Sequence, residues 1–468
     1  MKKCIIFGAG YYGTEAYYKL KEYYDIIFYV DNNEMIWETR VHDIPVISFE
    51  KMLQIYDHEN MEIIICCKAY SAIAHQLTMA GIQAYYVMLE GFLYYCDNNE
   101  MMMPRELMKI ENYIKEKNEK NILFVQNTAC IRTHKIATMM KGKGYKVFLL
   151  YTIAPPESNN ASFIDVYDKI FTVFSPKALV DFVNNSDFDI IHSSNEPDSL
   201  TNYLQLTNKK IVFDVHDMLS LMGESSVEAL TLEYIANVRS AGVIYTSESV
   251  LEIAKAKFGL EKQRTFVLKN LILNRIKVKQ AYEKLSSKDG EIHCVYEGGI
   301  EGNNKRHLRF FEHIWKKITD CGVHIHYYSQ SDYNYCVALE KKSPYLHFEG
   351  NVGSEQLAVE MTKYDCGLIL LNVNNANRVL LETASPNKVN EYLNSSLPVI
   401  VGEVRSLVDF VKEYGVGIHL DLNGDIKKQL QEASKIKIED DFLEKNKMVM
   451  DCYSDELVQF YNSIIGDE

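Results

Sequence analysis

The sequence predicts an α/β fold of three successive parallel-sheet units, and three observations carry that prediction. Short apolar runs ending in Gly, Asp or Asn alternate with amphipathic stretches almost throughout, as in chains that build parallel sheets. The alternation starts afresh near residues 4, 121 and 292. The length of 468 residues exceeds what one hydrophobic core fills, so two to four domains are expected.

The first unit, residues 1–96, supplies strands in CIIFGAG, IIFYVD, VIS, EIIICC and AYYVM. Its opening strand runs into Gly8-Ala9-Gly10-Tyr11-Tyr12-Gly13, the G-x-G-x-x-G spacing of a Rossmann-like nucleotide turn. Glycines there permit a tight turn and close backbone approach, and the helix N-terminus behind them attracts a pyrophosphate. Asp31 ends the next strand, where a carboxylate can hold ribose hydroxyls. Gly8, Gly10, Gly13 and Asp31 are therefore the candidate residues of an N-terminal nucleotide-like site. Tyr17 and Lys21 have Tyr-x-x-x-Lys spacing, but they fall on the helix directly after the turn, the wrong place for reductase chemistry. His42 and His75 are lone histidines, read as surface or core residues. Residues 97–120 are charged and helix-prone and are expected to form a linker helix.

The second unit, residues 121–280, supplies strands in NILFVQN, KVFLLYT, KIFTVF, FDIIHSS, KIVFDVHD and GVIYTS, with a helix over 132–143. The third, residues 281–430, supplies IHCVYEGG, VHIHYYS, LHFEG, CGLILL and PVIVG, with helices over 306–319 and 386–394. A helical tail covers 431–468. Two Rossmann-like halves joined near 268–280 imply a cleft, with ligands at the strand carboxyl ends that face it.

One segment of the third unit carries chemistry, SPNKVNEYLNSSLPVIV (385–401). Ser385 is a good N-cap and Pro386 suits the first helical position. Lys388 and Glu391 then share one face of the first turns. A helix start with a lysine suits a diphosphate, and a carboxylate one turn on suits ribose hydroxyls. A capped amphipathic helix with a surface Lys and Glu fits the same residues, so the pattern alone leaves both readings open.

Composition narrows the partners. Lys and Arg number 50 against 64 Asp and Glu, and the net charge of −14 disfavours nucleic acid. The ten cysteines are scattered with no C-x-x-C pair, as expected of reduced thiols in a cytoplasmic protein. There is no convincing D-x-D motif, and no metal ligand is assigned. No run approaches 18 apolar residues, so no transmembrane helix is expected. The first apolar run breaks at glycine, which reads as a strand and not a signal peptide.

The 385–401 segment resembles the donor-site helix of family 4 glycosyltransferases, which have the GT-B fold of two facing Rossmann domains. In that family the second glutamate of an E-x7-E motif lies seven residues before the proline of a G-L-P-V-I-like strand, as Glu391 precedes Pro398 here. The resemblance implies that Glu391 binds the donor ribose, and that Lys388, with Ser385 at the helix start, meets the diphosphate. The first glutamate of the pair would fall at Thr383, with Glu382 one residue away. VYEGGIEGNNKRHLRFF (295–311) resembles the family's phosphate loop. That implies backbone approach at Gly298 and Gly299 and a cation from Lys305 or Arg306; Ile300 stands where the family often has Arg.

FDIIHSSNEPDSL (188–200) and KIVFDVHDM (210–218) resemble the strand ends of the acceptor half, implying catalytic positions for His216 and Asp217 and a structural one for His192. ANVRSAGVIYTSESV (236–250) with FVLKNLI (266–272) resembles the strand–Ser–helix and the hinge entrance, and ACIRTHKIATMMKGKGYKV (129–147) the first acceptor-domain helix. Lys135, Lys141, Lys143 and Lys146 lie on or after that helix, a face that in this family can touch anionic membrane or a lipid diphosphate; a solvated helix end is the other reading. FGAGYYG, VDNN (30–33) and DIPVIS (43–48) resemble the small Rossmann domains that precede sugar-modifying enzymes in surface-polysaccharide pathways.

The expected function is retaining, metal-independent transfer of a sugar from a UDP- or GDP-sugar to a glycan, lipid-linked or protein-linked acceptor. No cofactor is needed for transfer, and a nucleotide or nucleotide sugar is an expected ligand of the first domain. The expected location is the cytoplasm, with peripheral contact at the inner membrane face. Two other readings stay open: a nucleotide-sugar modifying enzyme or NAD-dependent oxidoreductase using the 8–13 loop, and a non-catalytic glycosyltransferase-like partner protein.

Overall fold

Three parallel-dominated sheets organise the computed structural model, which describes all residues except 99, 105, 156–164, 195–197, 223–225, 279, 384–386, 467–468 and the side chains of 102 and 103. The first sheet holds β1 (Lys2–Phe7), β2 (Tyr24–Val30), β3 (Arg40–Val41), β4 (Ile44–Ile47), β5 (Met61–Ile65), β6 (Ala84–Leu89), β7 (Phe92–Asp97) and β8 (Glu100–Pro104). Their order is β3-β4-β2-β1-β5-β6-β7-β8. Central β1 pairs in parallel with β2 and β5. It is apolar on both faces, Cys4 and Ile6 entering one core cluster and Ile5 and Phe7 the other, as a strand covered on both sides must be.

The second sheet holds β9 (Asn121–Thr128), β10 (Lys146–Ala154), β11 (Lys169–Thr172), β12 (Ile190–Ser194), β13 (Ile211–Val215), β14 (Gly242–Tyr245) and β15 (Thr265–Val267). Its order is β11-β10-β9-β12-β13-β14-β15. The third holds β16 (His293–Glu297), β17 (His324–Tyr328), β18 (Leu346–Phe348), β19 (Cys366–Ile369), β20 (Val399–Val401) and β21 (Gly417–His419), ordered β18-β17-β16-β19-β20-β21. The third sheet packs around Trp315, Tyr296, Tyr327, Ile325 and Leu368.

Two compact units result. Met1–Asp214, Ile235–Gly242 and the C-terminal residues from Ile464 form one; Val215–Tyr234 and Val243–Ser463 form the other. The first sheet and the leading strands of the second thus lie in one unit. Their junction is built around Lys19, on the helix Tyr11–Leu20. Its side chain is fully buried, and its Nζ donates to the carbonyls of Gly91 (2.8 Å), Thr152 (2.5 Å) and Val173 (2.6 Å). Those three acceptors match the three donors of an ammonium. Burial pulls the Lys19 pKa well below the ordinary lysine value, and Glu106 opposes that shift. Lys19 Nζ also lies 4.2 Å from the centre of the Phe174 ring. Gly91 has φ +82°, and a Cβ there would come within 1.8 Å of Thr152 O, so backbone meets backbone where any other residue would collide.

The linker helix expected over 97–120 does not form. Residues 100–104 are instead strand β8, hydrogen-bonded antiparallel to β7, and the described residues from 106 to 120 contain no helix. Tertiary contacts override the local propensity here. Leu107, Ile110 and Tyr113 pack onto the cores of the first unit. Tyr113 N–H donates to Ser186 Oγ (3.0 Å) and Tyr113 O accepts from Asp187 N–H (2.8 Å). The helix expected over 306–319 begins only at Glu312. Side chains hold residues 303–307 as a loop: Glu301 Oε1 accepts from Asn303 N (2.6 Å) and Asn304 N (3.1 Å), and Asn372 Nδ2 donates to Lys305 O and His307 O (both 3.0 Å). The helix expected over 386–394 is described from Asn387 to Asn394.

The Lys19 junction makes a direct prediction. Lys19→Met strands three buried carbonyls and should lower stability by about 3–5 kcal/mol, the cost of breaking a buried polar network. Gly91→Ala should destabilise comparably through the Thr152 collision. Urea unfolding of the full chain measures both, and wild-type midpoints in both variants would remove the junction's role.

Candidate functional site

The N-terminal turn has the geometry its glycines suggest, but much of it is used internally. Gly8 has φ +114°, and a Cβ there would lie 2.7 Å from Cys66 O. At Gly13 a Cβ would lie 1.8 Å from Gly8 O, so helix and turn touch through backbone. Gly10 caps the helix and faces open space. Asp31 directs Oδ2 to Ala9 N–H (2.8 Å) and Oδ1 to Asn33 N–H (2.9 Å), locking the turn to its neighbouring strand end. Tyr11 and Tyr12 are exposed on the first turn of the helix. Tyr17 stacks on His42 with ring centres 4.2 Å apart, which gives both a packing role.

A second glycine turn, in the other unit, follows β16. Gly298 has φ +119°, and a Cβ there would lie 2.9 Å from Lys388 Nζ. A Cβ on Gly299 would lie 2.7 Å from Arg309 Nη1. Two cations therefore rest against two residues that have no side chain. Lys388 Nζ is 3.9 Å from Glu297 Oε1 and 5.6 Å from the centre of the Tyr296 ring. Burial favours the neutral amine, but Glu297, Tyr296 and Glu391 outweigh burial and the nearby Arg309, and the pKa lies above the ordinary lysine value. Lys388 is thus an ammonium at neutral pH. Tyr296 is buried, which raises its phenol pKa, with Lys388 and Arg309 both acting to lower it. Its Oη donates to Gly299 O (2.8 Å) and holds the turn from beneath.

Arg309 is the residue that sequence reading missed. The resemblance placed the second cation at Lys305 or Arg306, at the start of a helix expected over 306–319. Both are exposed on the segment tied down by Asn372 and Asn374, and Asn374 Nδ2 donates to Arg306 O (2.8 Å). The chain turns back after them, with Glu301 N–H donating to Arg309 O (3.0 Å). That return brings residue 309 beside residue 299. The only sequence signal was a third basic residue in KRHLR (305–309), with no spacing rule to favour it.

Glu391 is half-buried on the helix Asn387–Asn394, one turn from Lys388 and close enough to raise its pKa. Buried neighbours fix that helix: Asn390 Nδ2 donates to Asn270 O (3.1 Å) and Asn394 Nδ2 to Ile276 O (2.9 Å). Ser385 lies outside the described residues. The question posed by Thr383 and Glu382 has a structural answer. Thr383 Oγ1 turns back to Val379 O (2.9 Å) and Leu380 O (3.1 Å) of its own helix. Glu382 accepts from Arg405 N–H and Ser406 N–H (both 3.0 Å), capping the helix Arg405–Tyr414. Its carboxylate is engaged at a helix N-terminus.

His216 and Asp217 follow β13; His216 is half-buried and Asp217 exposed. His216 O accepts from Thr246 Oγ1 (3.4 Å). His192 is fully buried, 3.5 Å from Asp214 Oδ2. Asp214 also takes a bidentate pair from buried Arg132, Nε to Oδ2 at 2.9 Å and Nη2 to Oδ1 at 2.8 Å. The four-lysine face expected after the first helix of this half is not a continuous solvated patch. Lys135 is buried, Lys141 pairs with Asp168 (3.5 Å), and Lys146 pairs with Glu119 (2.6 Å). No helix among the described residues is long and apolar enough to cross a membrane.

Comparison with known proteins bears on the fold. Residues 311–447 match the glucosyltransferase 3-like C-terminal domain. The fold is that of sucrose-phosphate synthase from Thermosynechococcus elongatus, 12% identical with a TM-score of 0.56 over 75% of this chain and 100% of that one. It is shared with HepE of Anabaena in complex with UDP and glucose, 13% identical with a TM-score of 0.52 over 74% of this chain and all of that one. A glycosyltransferase from Rickettsia africae is also 13% identical, with a TM-score of 0.52 over 75% of this chain and 100% of that one. No curated protein matches the sequence. The class so defined is a glycosyltransferase of the GT-B type. Within that class, residues 311–447 are similar to the C-terminal domain of the glucosyltransferase 3-like proteins.

Glu382→Ala separates the two roles that sequence allowed for this carboxylate. The loss of a cap should cost about 1 kcal/mol, read as a lower thermal midpoint, while affinity for UDP stays at the wild-type value. A large loss of nucleotide-sugar affinity with unchanged stability would contradict the capping role.

Proposed function

We propose that the chain transfers a hexose from a UDP-sugar, glucose being the first candidate, with the diphosphate held at the Gly298–Gly299 turn. The observation that carries this reading is the pair of cations, Lys388 and Arg309, set against two glycines after β16. Backbone amides without side chains let a diphosphate approach closely, and fixed cations stabilise the negative charge that develops as the sugar–phosphate bond breaks. Glu391, one turn beyond Lys388, takes the ribose hydroxyls. HepE, solved with UDP and glucose, and the glucosyltransferase 3-like match favour uridine and glucose over other donors.

On this reading the cations do the work that a metal ion does in other transferases, and transfer proceeds with retention, as the family resemblance implies. His216 positions the reacting sugar and Asp217 supports it. The acceptor is a glycan, lipid-linked or protein-linked hydroxyl. The turn at Gly8, Gly10 and Gly13, with Asp31, serves a nucleotide or nucleotide-sugar ligand in the first domain.

Calorimetry of the full chain with UDP, GDP, UDP-glucose and NAD tests the reading. UDP and UDP-glucose should bind, and Lys388→Ala and Arg309→Ala should each lower donor turnover by about 100-fold, the typical loss of one preorganised charge-stabilising group. Lys305→Ala and Arg306→Ala should change it little. Absence of any UDP or UDP-sugar binding would overturn the proposal and favour a non-catalytic partner protein.

A further inference from the structure

We propose that three histidines at the amino-terminal end of the third sheet, His293, His324 and His326, with His347 beside them, form a site for one divalent transition-metal ion of the zinc class, separate from the Gly298 turn. His293 begins β16, His324 and His326 lie on β17, and His347 lies on β18. Strand register brings them together, His293 opposite His324 and His326 opposite His347. Alternation puts all four on one face, while Cys294, Ile325, Tyr327 and Leu346 enter the core on the other. His293 and His326 are buried. One ring nitrogen from each of His293, His324 and His326 lies within 4.8 Å of the other two.

The hydrogen bonds around the rings orient them inward. His293 Nε2 is 3.0 Å from Asp289 Oδ2, His324 Nε2 is 2.7 Å from Glu291 Oε2, and His326 Nδ1 is 2.7 Å from Glu349 Oε1. Carboxylates only accept, so each outer nitrogen carries the proton and each inner nitrogen of a neutral ring presents a lone pair. His293 Nδ1 and His326 Nε2 then face one another at 2.9 Å. His324 Nδ1 is 2.8 Å from His347 Nε2, whose tautomer no carboxylate fixes and whose N–H can donate to it. In the His293–His326 pair two lone pairs face one another, and they repel unless a cation lies against both. A proton relieves that pair alone, whereas a metal ion satisfies the inner nitrogens of His293, His324 and His326 at once.

Carboxylate-backed imidazoles are the usual outer shell of histidine metal sites. An all-imidazole set selects zinc, cobalt, nickel or copper over magnesium or calcium. The ion would clamp the starts of β16 and β17. The Gly298 turn lies beyond the far end of β16, five residues and about 16 Å along the strand from His293 at ~3.3 Å per residue. The site is therefore a structural clamp whose existence does not depend on the donor reading.

The test uses the full chain, stripped with EDTA and titrated with Zn²⁺ by calorimetry and with Co²⁺ by visible absorption. One equivalent should bind, giving tetrahedral Co²⁺ bands without the near-ultraviolet thiolate band that the ten cysteines would produce. Glu349→Gln keeps every ring and should weaken Zn²⁺ binding by about 10–100-fold, with UDP affinity unchanged. His326→Gln should abolish the equivalent. No stoichiometric Zn²⁺, a thiolate signature, or wild-type affinity in both variants would overturn the site.

Discussion

A single buried lysine, Lys19, governs how the first two sheets of this protein can be arranged. Lys19 spends its three donors on carbonyls from three separate segments, around residues 91, 152 and 173. Those carbonyls lie on both sides of the junction and in buried residues, so the one lysine ties the two sheets together. The arrangement demands that the chain at Gly91 come within backbone contact of Thr152, which fixes a glycine with positive φ at the tip between β6 and β7. Phe92, next along, then enters the same core as Leu123, Phe148 and Phe171. The small Rossmann-like domain is consequently a wall of the neighbouring sheet and not a module on a tether.

The same device, a cation where side chains are excluded, recurs at the Gly298–Gly299 turn with a different outcome. Lys19 is sealed, burial works against its charge, and its hydrogen bonds are all made within the fold. Lys388 is half-buried, held against Gly298 by Glu297 and Tyr296, with its charge preserved by them. A fully sealed lysine binds nothing further, whereas one kept protonated beside bare backbone can meet a phosphate. Asp31 and Glu382 show the parallel case for anions. Both stand where a sugar or ribose contact would be expected, and both have hydrogen bonds to backbone N–H groups that support local structure.

Much of the scaffold was legible from pattern. The apolar runs that seed β1, β9 and β16 are strong because central parallel strands are buried on both faces and tolerate no polar alternation. The antiparallel additions β7 and β8 were harder to see. Met-rich β8 sits within a charged stretch of good helix formers, and its antiparallel pairing with β7 selects the extended form. Arg309 was equally hidden, because its approach to Gly299 depends on a return of the loop after residue 304 that no helical or strand period encodes.

Sequence by itself determined the α/β class, the two glycine turns, and the Lys388–Glu391 pair one helical turn apart, because these rest on periodicity and on residues adjacent in the chain. Tertiary structure alone decided which side chains are engaged by the fold and which charges are kept. Lys19, Asp31 and Glu382 look as available in the sequence as Lys388, and their partners lie far along the chain or at backbone groups that sequence does not mark. The four histidines make the same point: IHC, VHIHY and LHF are unremarkable singly, and only the register of β16, β17 and β18 sets their rings face to face.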